Sequence, residues 1–74
     1  MAVVGIAIEA LSTREREVLI HVMEGFSNRE IAGQLFVSPE TIKSHLTNIM
    51  TKLGARDRTH AVVLAIRTNQ LQVA

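Results

Sequence analysis

Residues 27–54 read SNREIAGQLFVSPETIKSHLTNIMTKLG and contain two helix starts in close succession. Ser27 is followed three residues later by Glu30, the capping-box pattern at the N-terminus of a helix. Ser38 precedes Pro39, and a serine N-cap followed by proline at the first helical position marks a second start. The first of these helices is short, so the stretch predicts two helices joined by a tight turn.

The turn between the two helices centres on Phe36 and Val37 and contains no glycine, although glycine is common in such turns. The second helix runs from about Pro39 to Leu53 and ends before Gly54, a residue suited to the position that follows a helix. Together the two helices predict a helix-turn-helix.

Helix signals also flank this stretch. Ser12 with Glu15 forms another capping box, and Gly25 is placed to end the helix that starts there. A fourth helix is predicted from near Asp57, a good N-cap, to about Asn69. No segment shows the alternation of a strand. We therefore expect an all-α fold, a four-helix bundle containing the helix-turn-helix.

The third predicted helix has one apolar and one polar face. Its apolar side chains fall within an arc of roughly 100° when successive residues are placed about 100° apart. They are Ile42, Leu46, Ile49, Met50 and Leu53. The opposite side consists of Glu40, Thr41, Lys43, Ser44, His45, Thr47, Asn48, Thr51 and Lys52. A face with one acid and many short hydrogen-bonding side chains suits a helix in the DNA major groove.

The composition allows one small domain and excludes several classes of protein. The chain has 74 residues, 47% of them apolar, and no cysteine, so disulfides and thiolate metal sites are excluded. The net charge is only +1, but residues 38–58 hold four basic and two acidic side chains. There is no glycine-rich phosphate loop, Ser/His/Asp arrangement or paired-carboxylate motif, so we expect neither an enzyme nor a cofactor.

Residues 1–10 are apolar but too short to cross a bilayer, and they lack the basic start and cleavage site of a signal peptide. We interpret them as a linker or N-terminal arm that precedes a domain over residues 11–74. No other stretch approaches a transmembrane run. We therefore expect a soluble cytoplasmic protein without a membrane partner.

Two of the predicted helix starts offer sites for phosphate. The unpaired N–H groups and positive dipole end of a helix attract anions. Ser27, Asn28, Ser38 and Thr41 lie at these starts and add hydroxyl or amide groups. The alternative is that Ser27 and Ser38 act only as caps, although one side chain can do both.

The sequence contains three motifs in fixed order: LSTREREVL, G-x-SNREIA and S-x-x-TIKSHLTNIMTKLGARDR-x-x-AV. Over about residues 10–71 it resembles the LuxR/NarL/FixJ-type C-terminal effector domain of bacterial transcription regulators. The resemblance implies sequence-specific binding of double-stranded DNA, as in the effector domain of a response regulator of a two-component system. It also implies a homodimer paired through the fourth helix, RNA polymerase as a further candidate partner and, in many members, an N-terminal receiver or ligand-binding domain.

The resemblance also implies roles for particular residues. The base-reading positions fall on Lys43, Ser44 and Thr47. Lys43 can donate to guanine O6 or N7, whereas the two hydroxyls can donate or accept and Thr47 also offers a methyl group. The positions that contact the DNA backbone fall on Thr41, His45, Asn48, Arg58 and Thr59. Ser27 and Asn28 are expected to contact the backbone as well, because they lie at the phosphate-attracting start of the second helix. Some relatives carry a basic residue in place of Thr47 or Glu40, so we expect fewer strong base contacts here.

Other charged residues have simpler explanations. Lys52 and Arg56 are as well placed to balance the C-terminal dipole of the third helix as to contact phosphate. The charged run over residues 14–17 predicts a solvated face with local ion pairs. The three histidines fall on separate predicted helices, so we expect no metal site.

The fourth helix is unusually apolar. The side predicted to pack on the first and third helices consists of Ala61, Leu64 and Ala65. The side predicted to form a homodimer interface consists of Val62, Val63 and Ile66. The alternative is a broader core over which Leu71 and Val73 fold.

Two other functions compete with operator binding. The promoter-reading region of a sigma factor has a similar helix-turn-helix, but the apolar fourth helix and the KLGARDR connection at residues 52–58 favour the LuxR-type interpretation. A protein-interaction module that has lost DNA binding would carry several acids on the third helix, where only Glu40 is acidic.

Overall fold

The computed structural model describes residues 10–72, which form four helices and no strand. The helices are α1 (Thr13–Met23), α2 (Asn28–Leu35), α3 (Pro39–Leu53) and α4 (Arg58–Arg67). The predicted all-α fold is confirmed, and α2 and α3 form its helix-turn-helix. No helix in the described part of the chain is long and apolar enough to span a membrane.

Each helix begins at the N-cap that the sequence predicts. At Ser12 the side chain accepts the N–H of Glu15, whose carboxylate in turn accepts the N–H of Ser12. The same reciprocal pair joins Ser27 and Glu30 at the start of α2. Ser38 and Asp57 accept backbone N–H groups at the starts of α3 and α4. These caps satisfy N–H groups that have no partner inside the helix.

All four helices are followed by a residue with left-handed backbone geometry. Gly25 (φ 92°) follows α1 and Gly54 (φ 68°) ends α3, as predicted for glycine. Asn69 (φ 62°) takes this conformation after α4, and Phe36 (φ 59°) takes it in the turn of the helix-turn-helix. A phenylalanine therefore stands where glycine would be unstrained, and its side chain is 93% exposed.

Helix α3 lies at the centre of the bundle and contacts all three other helices. Ile42, Leu46, Ile49 and Leu53 are buried in the core, whereas Met50 is half-buried. Because one face of α3 packs against every neighbour, its other face is left to solvent.

One part of the sequence interpretation was wrong. The run over residues 14–17 is not a uniformly solvated face, because Glu15 is buried. Its Oε1 accepts the Ser12 N–H at 2.8 Å and the Lys52 ammonium at 2.8 Å. Only the Arg14–Glu17 pair, 3.2 Å apart on the surface, is the local ion pair that was predicted.

The core around α4 is broader than predicted from the sequence, which divided this helix into a side that packs on the core and a side that forms an interface. Ala61 and Ala65 are fully buried and Leu64 is half-buried. Val62 and Ile66, predicted to point away from the core, are half-buried and pack against it. These two positions therefore favour the alternative of a broader core.

The segment that follows α4 also joins this core. Leu71 is buried, and Gln70 Oε1 accepts the Leu11 N–H at 2.6 Å. Val73 and residues 1–9, most of the predicted arm, lie outside the described residues. The contact between Leu11 and Gln70 thus brings the two ends of the described chain together.

Candidate nucleic-acid interface

The exposed face of α3 carries the three predicted base-reading residues. Lys43, Ser44 and Thr47 are all exposed, on the side opposite the buried Ile42 and Ile49. No other part of the described fold covers them. The structure therefore leaves these side chains accessible to a duplex. Among the predicted backbone-contacting residues of α3, Asn48 is exposed, whereas Thr41 and His45 are half-buried.

Two threonine hydroxyls on α3 are bonded to their own helix. Thr47 Oγ1 donates to the carbonyl oxygen of Lys43 at 3.1 Å, and Thr51 Oγ1 donates to the carbonyl oxygen of Thr47 at 3.0 Å. Since a hydroxyl has one proton, Thr47 in this rotamer has no donor left for a base. The Thr47 hydroxyl, predicted to donate or accept, can therefore only accept a hydrogen bond from a base, and the methyl group remains for an apolar contact.

The N-terminus of α3 presents a second pair of hydroxyls. Ser38 Oγ accepts the Thr41 N–H at 3.1 Å and lies 3.0 Å from Thr41 Oγ1. One hydroxyl proton joins the two oxygens, so the other remains available to an outside acceptor. Capping and phosphate binding are thus compatible at this end of α3.

At the start of α2, two predicted backbone-contacting residues, Asn28 and Arg58, are bonded to each other. Arg58, the first residue of α4, donates from Nη1 to Asn28 Oδ1 at 2.5 Å and from Nη2 to the Phe26 carbonyl at 3.1 Å. The Asn28 amide oxygen is therefore occupied, and its NH₂ group is the part left to donate. The guanidinium is held next to the N-terminus of α2, where a positive charge reinforces the helix dipole toward an anion.

Ser27, Arg58 and Thr59 line a shallow open depression at this end of the bundle. Ser27 and Thr59 are exposed, so their hydroxyls can reach a phosphate. Glu30 also lines the depression, but its Oε1 accepts the Ser27 N–H at 2.8 Å. The carboxylate lowers the positive potential of the depression. Because Arg58 is the one cation among the described residues that line it, it is the main attractive charge there.

The two remaining cations near the end of α3 differ in their surroundings. Lys52 is bonded to the buried Glu15, so its charge stabilises the bundle and is not free to reach DNA. Arg56 is well exposed, with Nε 3.9 Å from Asp57 Oδ2. Of the two, only Arg56 retains a side chain that can contact phosphate.

The histidines form no group that could hold a metal among residues 10–72. His60 Nδ1 accepts the Arg56 N–H at 3.1 Å, and His21 Nδ1 lies 2.7 Å from the Glu17 carbonyl. Both rings are thus engaged with the backbone of neighbouring residues.

A helix-turn-helix whose second helix is buried on one side and polar and open on the other defines a DNA-binding fold. The sequence profile described as "Bacterial regulatory proteins, luxR family" matches residues 9–65, and the chain belongs to this family. The resemblance seen in the sequence is confirmed. The family is one of transcription regulators that bind double-stranded DNA.

Relatives and solved structures agree with this assignment. Response regulator protein VraR of Staphylococcus aureus is 42% identical over 64 residues, which cover 86% of this chain and 31% of VraR. The transcription factor GerE superposes with a TM-score of 0.80 and 32% identity, over 84% of this chain and 92% of GerE. The response regulator ChrA of a heme-sensing two-component system superposes with a TM-score of 0.81 and 41% identity, over 92% of this chain and 34% of ChrA. The chain thus spans about a third of the length of these response regulators.

Proposed function

We propose that this chain is the effector domain of a bacterial transcription regulator and binds a specific operator by placing α3 in the major groove. The observation that carries the proposal is the exposure of Lys43, Ser44 and Thr47 opposite the buried side of α3. Lys43 is the residue suited to guanine O6 or N7, and Ser44 can exchange hydrogen bonds with a base edge.

The backbone contacts that position α3 come from two places. At the start of α2, Arg58 and the Asn28 amide present donors beside the exposed hydroxyls of Ser27 and Thr59. On α3, the contacts come from Thr41, His45 and Asn48. Such contacts set the orientation of the protein on the duplex and carry no sequence information by themselves.

The whole regulator is proposed to be a response regulator, because VraR and ChrA carry that name and this chain aligns with only part of each. Two copies pair through α4, where Val63 is 38% exposed and Val62 and Ile66 are partly so. The regulator acts in the cytoplasm without catalysis of its own, and RNA polymerase is its further proposed partner.

The proposal is tested by selecting bound sites from random duplex DNA and measuring affinity for the selected duplex by fluorescence anisotropy. Lys43→Ala is expected to lose about 1–3 kcal/mol of binding and to relax the preference at one base position. Arg16→Ala on α1 removes the same charge outside the proposed interface and serves as the control. Unchanged affinity and preference in Lys43→Ala, or failure of the wild-type chain to select any sequence, would contradict the proposal.

A further inference from the structure

We propose that Thr47 recognises the 5-methyl group of a thymine in each operator half-site. The inference rests on the proposed function and deepens it by assigning a base to one position. The observation is the bond from Thr47 Oγ1 to the Lys43 carbonyl oxygen at 3.1 Å.

The bond fixes which part of the Thr47 side chain faces outward. A carbonyl oxygen only accepts, so the hydroxyl proton lies between Oγ1 and the helix backbone. Because the Cβ substituents are staggered, placing Oγ1 against the preceding turn directs the methyl group away from that carbonyl. Thr47 is exposed, so the methyl group meets whatever approaches α3.

Thr47 lies one helical turn after Lys43, on the same stripe of α3. Its neighbours on this stripe, Lys43, Ser44 and Asn48, have no methyl group to present. Thr41 is half-buried and its hydroxyl is paired with Ser38. Thr47 is therefore the exposed residue that carries a methyl group in the first three turns of α3.

Among the four bases, only thymine presents a methyl group in the major groove, and a threonine methyl is one of the groups that contact it. Guanine presents O6 and N7, both acceptors, and Thr47 has no proton left to give them. The remaining lone pairs of Oγ1 could accept from adenine N6 or cytosine N4, which is the competing assignment. The methyl and the acceptor are separable by substitution.

Two variants separate the chemical parts of Thr47. Thr47→Val keeps the methyl group and removes the hydroxyl, whereas Thr47→Ser keeps the hydroxyl and removes the methyl group. Thr51→Ser is the matched control, because Thr51 makes the same bond to the preceding turn but lies farther from the end of α3 that reads bases. Sites are selected from random duplex DNA with the wild-type chain and with each variant.

The wild-type chain, Thr47→Val and Thr51→Ser are expected to select thymine at one shared position of each half-site, and Thr47→Ser is expected to lose that preference. Replacing this thymine by uracil in one half-site removes only the methyl group. It should weaken wild-type binding about fourfold, the value for one buried methyl group, and leave Thr47→Ser binding unchanged. Duplexes that carry cytosine or 5-methylcytosine in place of this thymine should differ from each other in wild-type affinity by a similar factor, because these two bases also differ only in the methyl group.

Loss of the selected base pair in Thr47→Val together with its retention in Thr47→Ser would assign the contact to the Oγ1 acceptor and overturn the inference. A selected operator in which no position responds to Thr47 would also overturn it, while leaving the proposed function intact. Failure to select any sequence would instead contradict the proposed function itself.

Discussion

The ammonium group of Lys52 lies 2.8 Å from the carboxylate of Glu15 and joins the last turn of α3 to the first turn of α1. The same Glu15 oxygen accepts the Ser12 N–H and closes the capping box of α1. One buried carboxylate therefore both starts a helix and fixes the far end of the proposed recognition helix. Burial alone would raise the pKa of Glu15, but the hydrogen bonds from Lys52 and Ser12 outweigh it and hold the pKa below its usual value.

Glu15→Gln is expected to lower the free energy of unfolding by about 1.5–3 kcal/mol at neutral pH, because it removes the charge that Lys52 contacts. The measurement is urea unfolding followed by circular dichroism. Glu17→Gln is the matched control, since its Arg14 pair is exposed and such pairs contribute about 0–1 kcal/mol. Equal effects of the two substitutions would contradict the special role of Glu15.

The stability that Glu15 provides should depend on pH in a defined direction. A carboxyl with a lowered folded-state pKa stabilises the fold fully above the unfolded value of about 4.3, and this contribution is lost as the pH falls through the folded-state pKa. The difference in unfolding free energy between wild type and Glu15→Gln should therefore shrink on acidification from pH 7. A difference that stays constant would rule out the ionised pair as its source.

Phe36→Asn is expected to stabilise the domain by about 1 kcal/mol, because asparagine tolerates the left-handed conformation at φ 59° better than phenylalanine does. The phenyl ring is 93% exposed, so its removal sacrifices little packing. Thermal unfolding should show a melting temperature higher by about 4–8 °C. Phe36→Ala removes the ring but keeps the backbone strain and should change stability little; an equal gain there would refute the strain argument.

The helix boundaries were predictable because they depend on local chemistry. Ser38, whose side chain caps α3 by accepting the Thr41 N–H, and Gly54 at a positive φ both follow from a few consecutive residues. The Thr47 bond to Lys43 is equally local and follows from helix geometry once α3 is assigned. The Glu15–Lys52 pair was not predictable, because its partners are 37 residues apart and meet only when α1 packs on α3.

The site at the start of α2 shows the same limit. Asn28 was predicted to contact the DNA backbone from its place at a helix start, and Arg58 separately from the sequence resemblance. Their bond to each other, across 30 residues, depends on how α4 is placed against α2. The positive φ of Phe36 was also not predicted from the sequence, because phenylalanine does not favour this backbone conformation.

Arg58→Ala is expected to weaken binding by a similar factor on the selected operator and on unrelated duplexes, because a phosphate contact carries no base information. The slope of log affinity against log salt should become shallower by about 0.9 for the lost phosphate contact. Arg16→Ala should leave both slope and affinity unchanged. A loss confined to the selected operator would place Arg58 at a base and not at phosphate.

Val63→Glu is expected to reduce the number of chains bound per operator from two to one, because Val63 is the most exposed of the three proposed interface residues. Sedimentation velocity with the labelled duplex measures this stoichiometry. Ile20→Glu on α1 is a close control, since Ile20 is 39% exposed and Val63 38%. If two Val63→Glu chains still bind each duplex with unchanged affinity, the interface does not lie on α4 as proposed.

The central claim is that the open face of α3 is the surface that meets DNA. Its most direct test is titration of the ¹⁵N-labelled chain with the selected duplex, followed by amide chemical shifts and by contacts from side-chain protons to the bases. We predict the largest changes at Lys43, Ser44 and Thr47, with smaller ones at Asn28 and Arg58. Changes confined to α1 and the outer side of α4, with those three α3 residues unmoved, would contradict the account.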